Sequence, residues 1–295
     1  MIYTLTLNPS IDYSMFPVLF SAGEINRSEE ELVSFGGKGI NVSAILSRLG
    51  VENRALGFVG GFSGKEIERL SCRAGIECDF CEISENSRIN VKIISDKETA
   101  INGKGPLIRE EEEQKLLEKL SALSEEDTVI ISGKSPESES GELLCRVIDA
   151  AAHTRLVADM EGEDLLFAIE RKPFLIKPNR EELEAISGRT LSDEGEVARL
   201  AAELRARGAK NVLVSLGGDG AILAADDGKI YRARAPRVEV RSTVGAGDSC
   251  LAGFIAGYDK GFDFALSLAM AAGSATAASA ALAEGEEIMK IFSEM

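Results

Sequence analysis

Short apolar runs rich in β-branched residues alternate along most of the chain with segments that repeat apolar residues at helical spacing. Strands are predicted for residues 2–7, 54–59, 77–83, 88–94, 128–132, 156–159, 174–179 and 211–215. Helices are predicted for residues 42–49, 64–73, 110–123, 142–152, 181–186 and 197–207, and from Asp248 to the end. Residues 221–225 and 230–235 are expected to pair as a hairpin. This order predicts an α/β fold in which helices cover both faces of a mostly parallel sheet.

Glycine-rich turns lie where several predicted strands end or predicted helices begin. The three most prominent are Gly36-Gly-Lys-Gly39, Ser215-Leu-Gly-Gly-Asp-Gly220 and Ser242-Thr-Val-Gly-Ala-Gly-Asp-Ser249. Ligand sites of open α/β sheets lie at the carboxyl ends of the strands, so we expect these turns to surround one site. Each of them is also compatible with an ordinary tight turn.

The turn at residues 242–249 gives the strongest chemical signal. Gly245 and Gly247 allow the backbone to turn tightly and to present N–H groups to a ligand, and the helix that follows directs its positive end to the same place. Asp248 stands in the first turn of that helix. A carboxylate there could accept a proton from a hydroxyl while the amides stabilise a transferring phosphoryl group. The alternative is a simple turn in which Asp248 caps the helix.

Two further groups are candidates for ligand binding. Lys38, at the start of a predicted helix, would suit a polar or phosphorylated small molecule, although a solvated lysine in a flexible turn fits as well. Asn179 and Glu182 follow a predicted strand and could order magnesium and phosphate. They could equally serve as a helix N-cap and a solvated position on a helix.

Composition narrows the class of protein. The 295 residues are 44% hydrophobic and are expected to form one domain, and a formal net charge of −16 disfavours a general nucleic-acid-binding surface. The cysteine count is odd, at five, and the amino terminus has no basic signal segment, so we expect a cytoplasmic protein with reduced thiols. No apolar run reaches membrane-spanning length. Neither a P-loop nor a dinucleotide-binding fingerprint is present, which disfavours a Rossmann dehydrogenase.

Taken together and in this order, the motifs resemble the PfkB branch of the ribokinase-like carbohydrate kinases over essentially the whole chain. The similarity rests on Thr4-Leu-Thr-Leu-Asn-Pro-Ser-Ile-Asp12, Gly36-Gly-Lys-Gly-Ile-Asn-Val42, Arg88-Ile-Asn-Val-Lys-Ile93 and the turn at 242–249. It is greatest to members that act on fructose 1-phosphate, and next to those that act on tagatose 6-phosphate. The resemblance implies a three-layer α/β sandwich of residues 1–295, a small β lid of about residues 12–35 and 86–105, and a homodimer formed through that lid.

The same resemblance implies roles for individual residues. Asp248 matches the catalytic base, and the anion hole is matched by Gly245, Ala246 and Gly247. Substrate-binding positions are matched by Asp12, Arg27, Gly37, Lys38, Asn41, Arg88 and Asn102. Nucleotide-binding positions are matched by Lys177, Asn179, Ser215, Gly217, Gly220 and Thr243, and an indirect magnesium contact is matched by Glu182.

The implied activity is the ATP- and magnesium-dependent phosphorylation of a phosphorylated ketohexose, with fructose 1-phosphate as the favoured substrate and fructose 1,6-bisphosphate as the product. The alternatives are a kinase of tagatose 6-phosphate, fructose 6-phosphate or a nucleoside, and a non-catalytic sugar-phosphate sensor. Three departures from the family bear on this prediction, one of which is Asn102-Gly-Lys-Gly-Pro106 in the lid, where Asn-Glu-Pro-Gly-Pro is often seen. Residues 132–137 are Ser-Gly-Lys-Ser-Pro-Glu where the family usually has Gly-Ser-Leu-Pro-Pro-Gly, and the tail after residue 277 is short. The short tail leaves the need for a monovalent cation open.

Overall fold

The computed structural model describes residues 1–295. Its strands are β1 (Ile2–Thr6), β2 (Ser10–Phe16), β3 (Glu30–Gly36), β4 (Asn53–Gly60), β5 (Glu77–Cys78), β6 (Cys81–Ile83), β7 (Arg88–Ile94), β8 (Glu98–Asn102), β9 (Thr128–Ser132), β10 (Arg155–Asp159), β11 (Leu175–Ile176), β12 (Asn211–Ser215), β13 (Ala221–Ala224) and β14 (Ile230–Ala233). Its α-helices are α1 (Lys38–Arg48), α2 (Gly61–Arg73), α3 (Glu110–Ser121), α4 (Leu143–Ala151), α5 (Gly162–Glu170), α6 (Arg180–Ser187), α7 (Glu194–Arg207), α8 (Ala246–Gly257), α9 (Phe262–Ala278) and α10 (Gly285–Ser293). None of these helices is both long and apolar enough to cross a membrane.

The central sheet has the strand order β14-β13-β12-β11-β10-β9-β1-β4-β5, and β6 also pairs with β4. All neighbouring strands are parallel except at one edge, where β12, β13 and β14 are antiparallel. In β10, Leu156 and Ala158 belong to one buried cluster while Val157 belongs to another, because successive side chains of a strand point to opposite faces. Burial of both faces explains why the strands are almost continuously apolar.

Two groups of helices cover the central sheet. Helices α3 to α7 bury residues such as Leu116, Val147 and Leu204 in the cluster on one face. Helices α1 and α8 to α10 bury Leu251, Ile288 and their neighbours in the cluster on the other face. The molecule is therefore a three-layer α/β sandwich with a mostly parallel sheet, which confirms the predicted fold class.

A separate four-stranded sheet, called the small sheet below, has the order β3-β2-β7-β8. Its strands alternate polar and apolar residues, so its two faces differ. The apolar side chains Ile11, Phe35 and Ile89 join a cluster with Ile40 of α1 and Ile67 of α2. The other face carries a polar row across the register, formed by Ser34, Asp12, Asn90 and Asn102. These strands fall within a few residues of the segments for which a β lid was expected.

Three predicted elements differ from the structure. The strand expected at 77–83 is two short strands, because Lys119 Nζ donates a hydrogen bond of 2.9 Å to the backbone carbonyl of Asp79 between them. The strand expected at 174–179 is only Leu175–Ile176, since the flanking residues Pro173 and Pro178 have no N–H to donate to a neighbouring strand. The continuous helix expected from Asp248 onward is three helices, interrupted at Gly261, where φ is 99°, and again at residues 279–284.

Candidate active site

The amino terminus of α8 lies at the centre of the candidate site. Gly245 has a φ of 77°, a backbone conformation that favours glycine, and a Cβ atom at this position would lie 2.5 Å from Leu282 Cδ2, so the leucine side chain would have to move. The Ala246 N–H makes a long bond of 3.3 Å to the Thr243 carbonyl, while the N–H groups of Gly247 and Asp248 have no partner in the chain. These free amides and the positive end of α8 could together bind an anion at the position predicted from the sequence.

Asp248 is buried beside these amides in the first turn of α8. Asn41 of α1 donates a hydrogen bond of 2.8 Å from Nδ2 to Asp248 Oδ2. Burial, followed by the nearby charge of Asp159, raises the pKa of Asp248 to about 6, although the Asn41 hydrogen bond, Lys177 and Lys38 act to lower it. At neutral pH the carboxylate is therefore ionised, yet it is a stronger base than an exposed aspartate. A general base for a sugar hydroxyl requires this combination.

A buried ion pair lies beneath Asp248. Lys177 Nζ is 3.2 Å from Asp159 Oδ1, and both side chains are almost completely buried. Burial acts to lower the pKa of Lys177, but the charges of Asp159 and the other nearby acidic groups outweigh it and the net shift is upward. A Cβ atom on Gly247 would lie 3.6 Å from Lys177 Nζ, so the ammonium also borders the free amides. Lys177 thus adds a fixed positive charge to the anion-binding position.

Asp159 is a functional candidate that the sequence analysis missed. It ends β10 opposite Ser132, which ends β9. Neither Asp159 carboxylate oxygen nor the Ser132 hydroxyl makes a hydrogen bond, although all three atoms are buried. Lys38 Nζ lies 3.9 Å from Asp159 Oδ1. Asp159 Oδ1 is compensated by its ion pair with Lys177, so Asp159 Oδ2 and the Ser132 hydroxyl are the atoms left for a ligand or water to satisfy. The sequence pattern that could have identified Asp159 is an aspartate at the last position of a predicted strand whose preceding residues are apolar.

A cavity of about 1020 Å³ extends from the amino terminus of α8 along the ends of β12 and β13. Most of the predicted nucleotide-binding residues line it, namely Asn179, Ser215, Gly217, Gly220 and Thr243. Gly220 has a φ of 108°, and a Cβ atom there would lie 2.0 Å from the Ala233 carbonyl oxygen, so only glycine fits. Lys177 is the exception, because it is buried at the ion pair and is not part of the cavity wall.

Asn179 and Glu182 form a reciprocal capping box at the start of α6. The Glu182 N–H donates to Asn179 Oδ1 and the Asn179 N–H donates to Glu182 Oε2, each at 2.8 Å. Asn179 is therefore a helix N-cap, which was the structural alternative to ligand binding in the sequence analysis. Glu182 is also part of the wall of a second cavity of about 990 Å³, together with Lys38 and Gly133. The capping role leaves Glu182 Oε1 as the oxygen that is free for an indirect contact with a cation.

The predicted sugar-side residues meet where the small sheet joins α1. Gly37 precedes α1 with a φ of 131°, and a Cβ atom there would lie 2.6 Å from Thr6 Cγ2. Lys38 and Asn41 follow on α1. Arg88 of β7 is more than half buried and donates from Nε to the Asn8 carbonyl at 3.1 Å. Burial lowers the pKa of Arg88 while Asp12 opposes that shift, and the guanidinium remains charged.

Two predicted substrate residues lie less centrally. Asn102 ends β8 opposite Asn90 and is exposed. Arg27 lies in the exposed loop between β2 and β3. Gly36, at the near end of β3, is adjacent to α1, and the seven-residue strand spans roughly 20 Å at 3.3 Å per residue. Arg27 is therefore at the far end of the small sheet and does not join Lys38 and Arg88 within one chain.

A three-layer α/β fold that holds a buried carboxylate beside free helix amides and a nucleotide-sized cavity defines an enzyme of the phosphoryl-transferring class. The chain belongs to the pfkB family carbohydrate kinases, whose family model matches residues 5–288. It is therefore a phosphotransferase with an alcohol group as acceptor, as predicted, and the fold is ribokinase-like.

Individual relatives agree with this family assignment. The chain is 40% identical to 1-phosphofructokinase of Bacillus subtilis (strain 168), with 100% of this chain and 98% of the relative covered. It is 37% identical to D-tagatose-1-phosphate kinase of Bacillus licheniformis, with the same coverage. The crystal structure of a putative phosphofructokinase from Staphylococcus aureus superposes with a TM-score of 0.89 at 40% identity, covering 99% of this chain and 97% of that one. These relatives support a kinase of phosphorylated sugars and disfavour the sensor alternative.

Proposed function

We propose that the protein transfers the γ-phosphoryl group of ATP to the C6 hydroxyl of fructose 1-phosphate and forms fructose 1,6-bisphosphate. The observation that carries this proposal is the buried, hydrogen-bonded Asp248 beside the free amides of α8. Membership of a carbohydrate kinase family implies ATP as the donor. The choice of sugar is supported by the relatives, because two of them are named for the 1-phosphate of a ketohexose.

In the proposed reaction Asp248 accepts the proton of the C6 hydroxyl as the hydroxyl oxygen attacks the γ-phosphorus, and the bond from that phosphorus to the β–γ bridging oxygen breaks so that ADP leaves. Asn41 holds the carboxylate by its hydrogen bond, which leaves Asp248 Oδ1 free for the hydroxyl. The N–H groups of Gly247 and Asp248, with Lys177 behind them, offset the negative charge that develops on the transferring group. These groups are fixed before the substrate arrives, so little reorganisation accompanies the reaction.

The residues present fit a magnesium ion. Magnesium prefers hard oxygen ligands and retains several waters. Asp159 Oδ2 and the Ser132 hydroxyl are buried oxygens without a hydrogen bond, whereas Asp159 Oδ1 is ion-paired with Lys177. We propose that Glu182, through the Oε1 atom that its capping role leaves free, contacts hydrated magnesium by way of bound water. When bound, the ion would neutralise charge on the nucleotide phosphates.

The phosphate already on the sugar is proposed to bind the cations Lys38 and Arg88. Arg27 is too distant to join them within one chain, so its predicted contact requires a second copy. Exposed apolar side chains on the small sheet, including Leu32, Val33 and Ile101, support a homodimer through this sheet. Light scattering after size exclusion should therefore give twice the 31.5 kDa chain mass. Replacing Val33 and Ile101 with glutamate should give the monomer, and a monomeric wild-type protein would contradict the proposal.

Tagatose 1-phosphate is the second candidate substrate, because one of the relatives is named for it. It differs from fructose 1-phosphate only in the configuration at one ring carbon, so both sugars present the same phosphate to Lys38 and Arg88. Discrimination between them would depend on contacts to a single hydroxyl.

The function is tested with a coupled assay of ADP release in the presence of magnesium and ATP. The panel consists of fructose 1-phosphate, tagatose 1-phosphate, tagatose 6-phosphate, fructose 6-phosphate, free fructose and a nucleoside. The highest kcat/KM is expected for fructose 1-phosphate. In the same assay, replacing potassium with a larger organic cation tests whether the enzyme requires a monovalent cation. Preference for a 6-phosphate or a nucleoside would overturn the proposed substrate, and no turnover of any member would overturn the kinase proposal.

The rate is expected to depend on pH through Asp248, whose pKa is about 6. The base acts only when ionised, so kcat should be constant above pH 7 and fall about tenfold per pH unit below pH 6. Initial rates between pH 5 and 9 measure this dependence. The substrate phosphate also titrates near pH 6 in free solution, so the substrate is kept saturating to limit the effect of that titration on the rate. A rate that is unchanged from pH 8 to pH 5 would exclude Asp248 as the base.

A further inference from the structure

Lys92 is a largely buried cation of the small sheet with no role in the reaction described so far. It lies in β7, where Ser10 pairs with Arg88, Asp12 with Asn90 and Ser14 with Lys92. Alternate residues of paired strands share one face, so Lys92 lies on the same face as Asp12 and Arg88. Its side chain is only 20% exposed, and its one ion pair is with Asp12. Burying a lysine to this degree is costly unless its charge is compensated.

The contact with Lys92 completes a three-donor network around Asp12. Asp12 Oδ1 accepts hydrogen bonds from Ser10 Oγ at 2.8 Å and from Asn90 Nδ2 at 3.0 Å. Asp12 Oδ2 accepts one from Lys92 Nζ at 3.0 Å. A carboxylate offers about four acceptor positions, so one remains, on Oδ2. Asp12 is thereby held in one orientation with a single acceptor position left for a sugar hydroxyl.

Lys92 also determines the charge on this face of the small sheet. Asp12 contributes one negative charge, and Lys92 and Arg88 contribute one positive charge each. With Lys92 present the three groups sum to a net positive charge. Without Lys92, Asp12 and Arg88 sum to zero, and the carboxylate loses the one cation that contacts it on the face that is proposed to meet a substrate phosphate.

We infer that Lys92 is a positioning residue that fixes Asp12 and makes the sugar subsite selective for a phosphorylated ketohexose over the neutral sugar. This inference rests on the proposed function, because it takes a sugar phosphate as the ligand of this face. A purely structural ion pair would instead stabilise the small sheet without affecting one substrate more than another.

Two substitutions separate charge from hydrogen bonding. Lys92→Gln keeps a donor for Asp12 and removes the charge, whereas Lys92→Arg keeps both. The matched control is Lys97→Gln, since Lys97 is exposed in the turn between β7 and β8 and makes no ion pair. KM and kcat are measured for fructose 1-phosphate, free fructose and ATP, with the melting temperature of each variant.

Lys92→Gln is expected to raise KM for fructose 1-phosphate by roughly tenfold. Its KM for ATP, and its efficiency with free fructose, should each change less than about twofold, because the glutamine still donates to Asp12 and only the charge that faces the phosphate is lost. Lys92→Arg and Lys97→Gln should remain close to wild type.

Other outcomes overturn this inference in distinguishable ways. A Lys92→Gln enzyme with wild-type KM for fructose 1-phosphate would refute the role of Lys92 and leave the proposed function intact. An equal rise in KM for both ATP and the sugar, with a lower melting temperature, would assign Lys92 a structural role only. A wild-type enzyme that neither binds nor phosphorylates any sugar phosphate would refute the proposed function and the role of Lys92 with it.

Discussion

Replacement of Asp248 by asparagine is expected to lower kcat by about 10²- to 10⁴-fold and to leave KM for ATP nearly unchanged. The amide keeps the shape of the side chain, and its oxygen can still accept the hydrogen bond from Asn41. The substitution therefore removes the proton acceptor and little else. Rates with ATP and fructose 1-phosphate measure the loss, and calorimetric titration with a non-hydrolysable ATP analogue measures nucleotide binding. A variant with wild-type kcat would show that another group is the base.

The melting temperature of Asp248→Asn tests whether the loss of rate arises from unfolding. Burial holds the folded-state pKa of Asp248 above the unfolded value of 3.8, so ionising this group destabilises the fold as pH rises from about 4 to about 6. The amide carries no such penalty. At pH 8 the variant should melt at or above the wild-type temperature, and this advantage should shrink as pH falls toward 4. A much lower melting temperature at pH 8 would mean that the rate reflects unfolding.

Replacement of Lys177 by methionine is expected to lower the free energy of unfolding by about 3–5 kcal/mol, because it leaves the buried carboxylate of Asp159 with only the more distant and partly exposed Lys38 as a counterion. Because the folded-state pKa of Lys177 lies above its unfolded value, the stabilisation from the ion pair is fully present below about pH 10 and is lost only at higher pH. The unfolding free energy is therefore measured at pH 8. Activity should fall as well, because the loss of a positive charge beside Gly247 weakens the anion-binding position. Urea unfolding followed by circular dichroism measures the first effect, and kcat measures the second.

The double variant Lys177→Met with Asp159→Leu separates these two effects. Replacing both members of a buried ion pair with apolar side chains is often neutral or stabilising. The double variant should therefore recover most of the stability lost by Lys177→Met, and its activity should stay low. Recovery of activity together with stability would mean that the pair serves only the fold. Failure to recover stability would mean that the two charges are not the main cause of the loss.

Hydrophobic periodicity predicted most of the central sheet, because burial of both faces makes each strand a short apolar run. The central strands at 128–132 and 211–215 have the predicted bounds, and β7 of the small sheet, at 88–94, was predicted from its alternating pattern. The same reasoning did not find β2, β3 or β8, since one face of the small sheet is polar and its strands carry no continuous apolar run. Those strands were expected only through the resemblance to a family with a β lid. The α5 helix was also missed, because its apolar residues, 165–169, are contiguous and show no helical period.

The sequence by itself determined the class of fold and the turn that carries Asp248, since glycine positions and apolar periods are local properties of the chain. Only the tertiary structure decided which distant side chains surround that turn. Asn41 is 207 positions from Asp248 in the chain yet bonds to it, and Asp159 meets Lys177 only because β10 and β11 are neighbours in the sheet. Burial raises the pKa of Asp248, and burial depends on packing between elements that are far apart in sequence. The chemistry of the site therefore depends on long-range contacts, which no local pattern encodes.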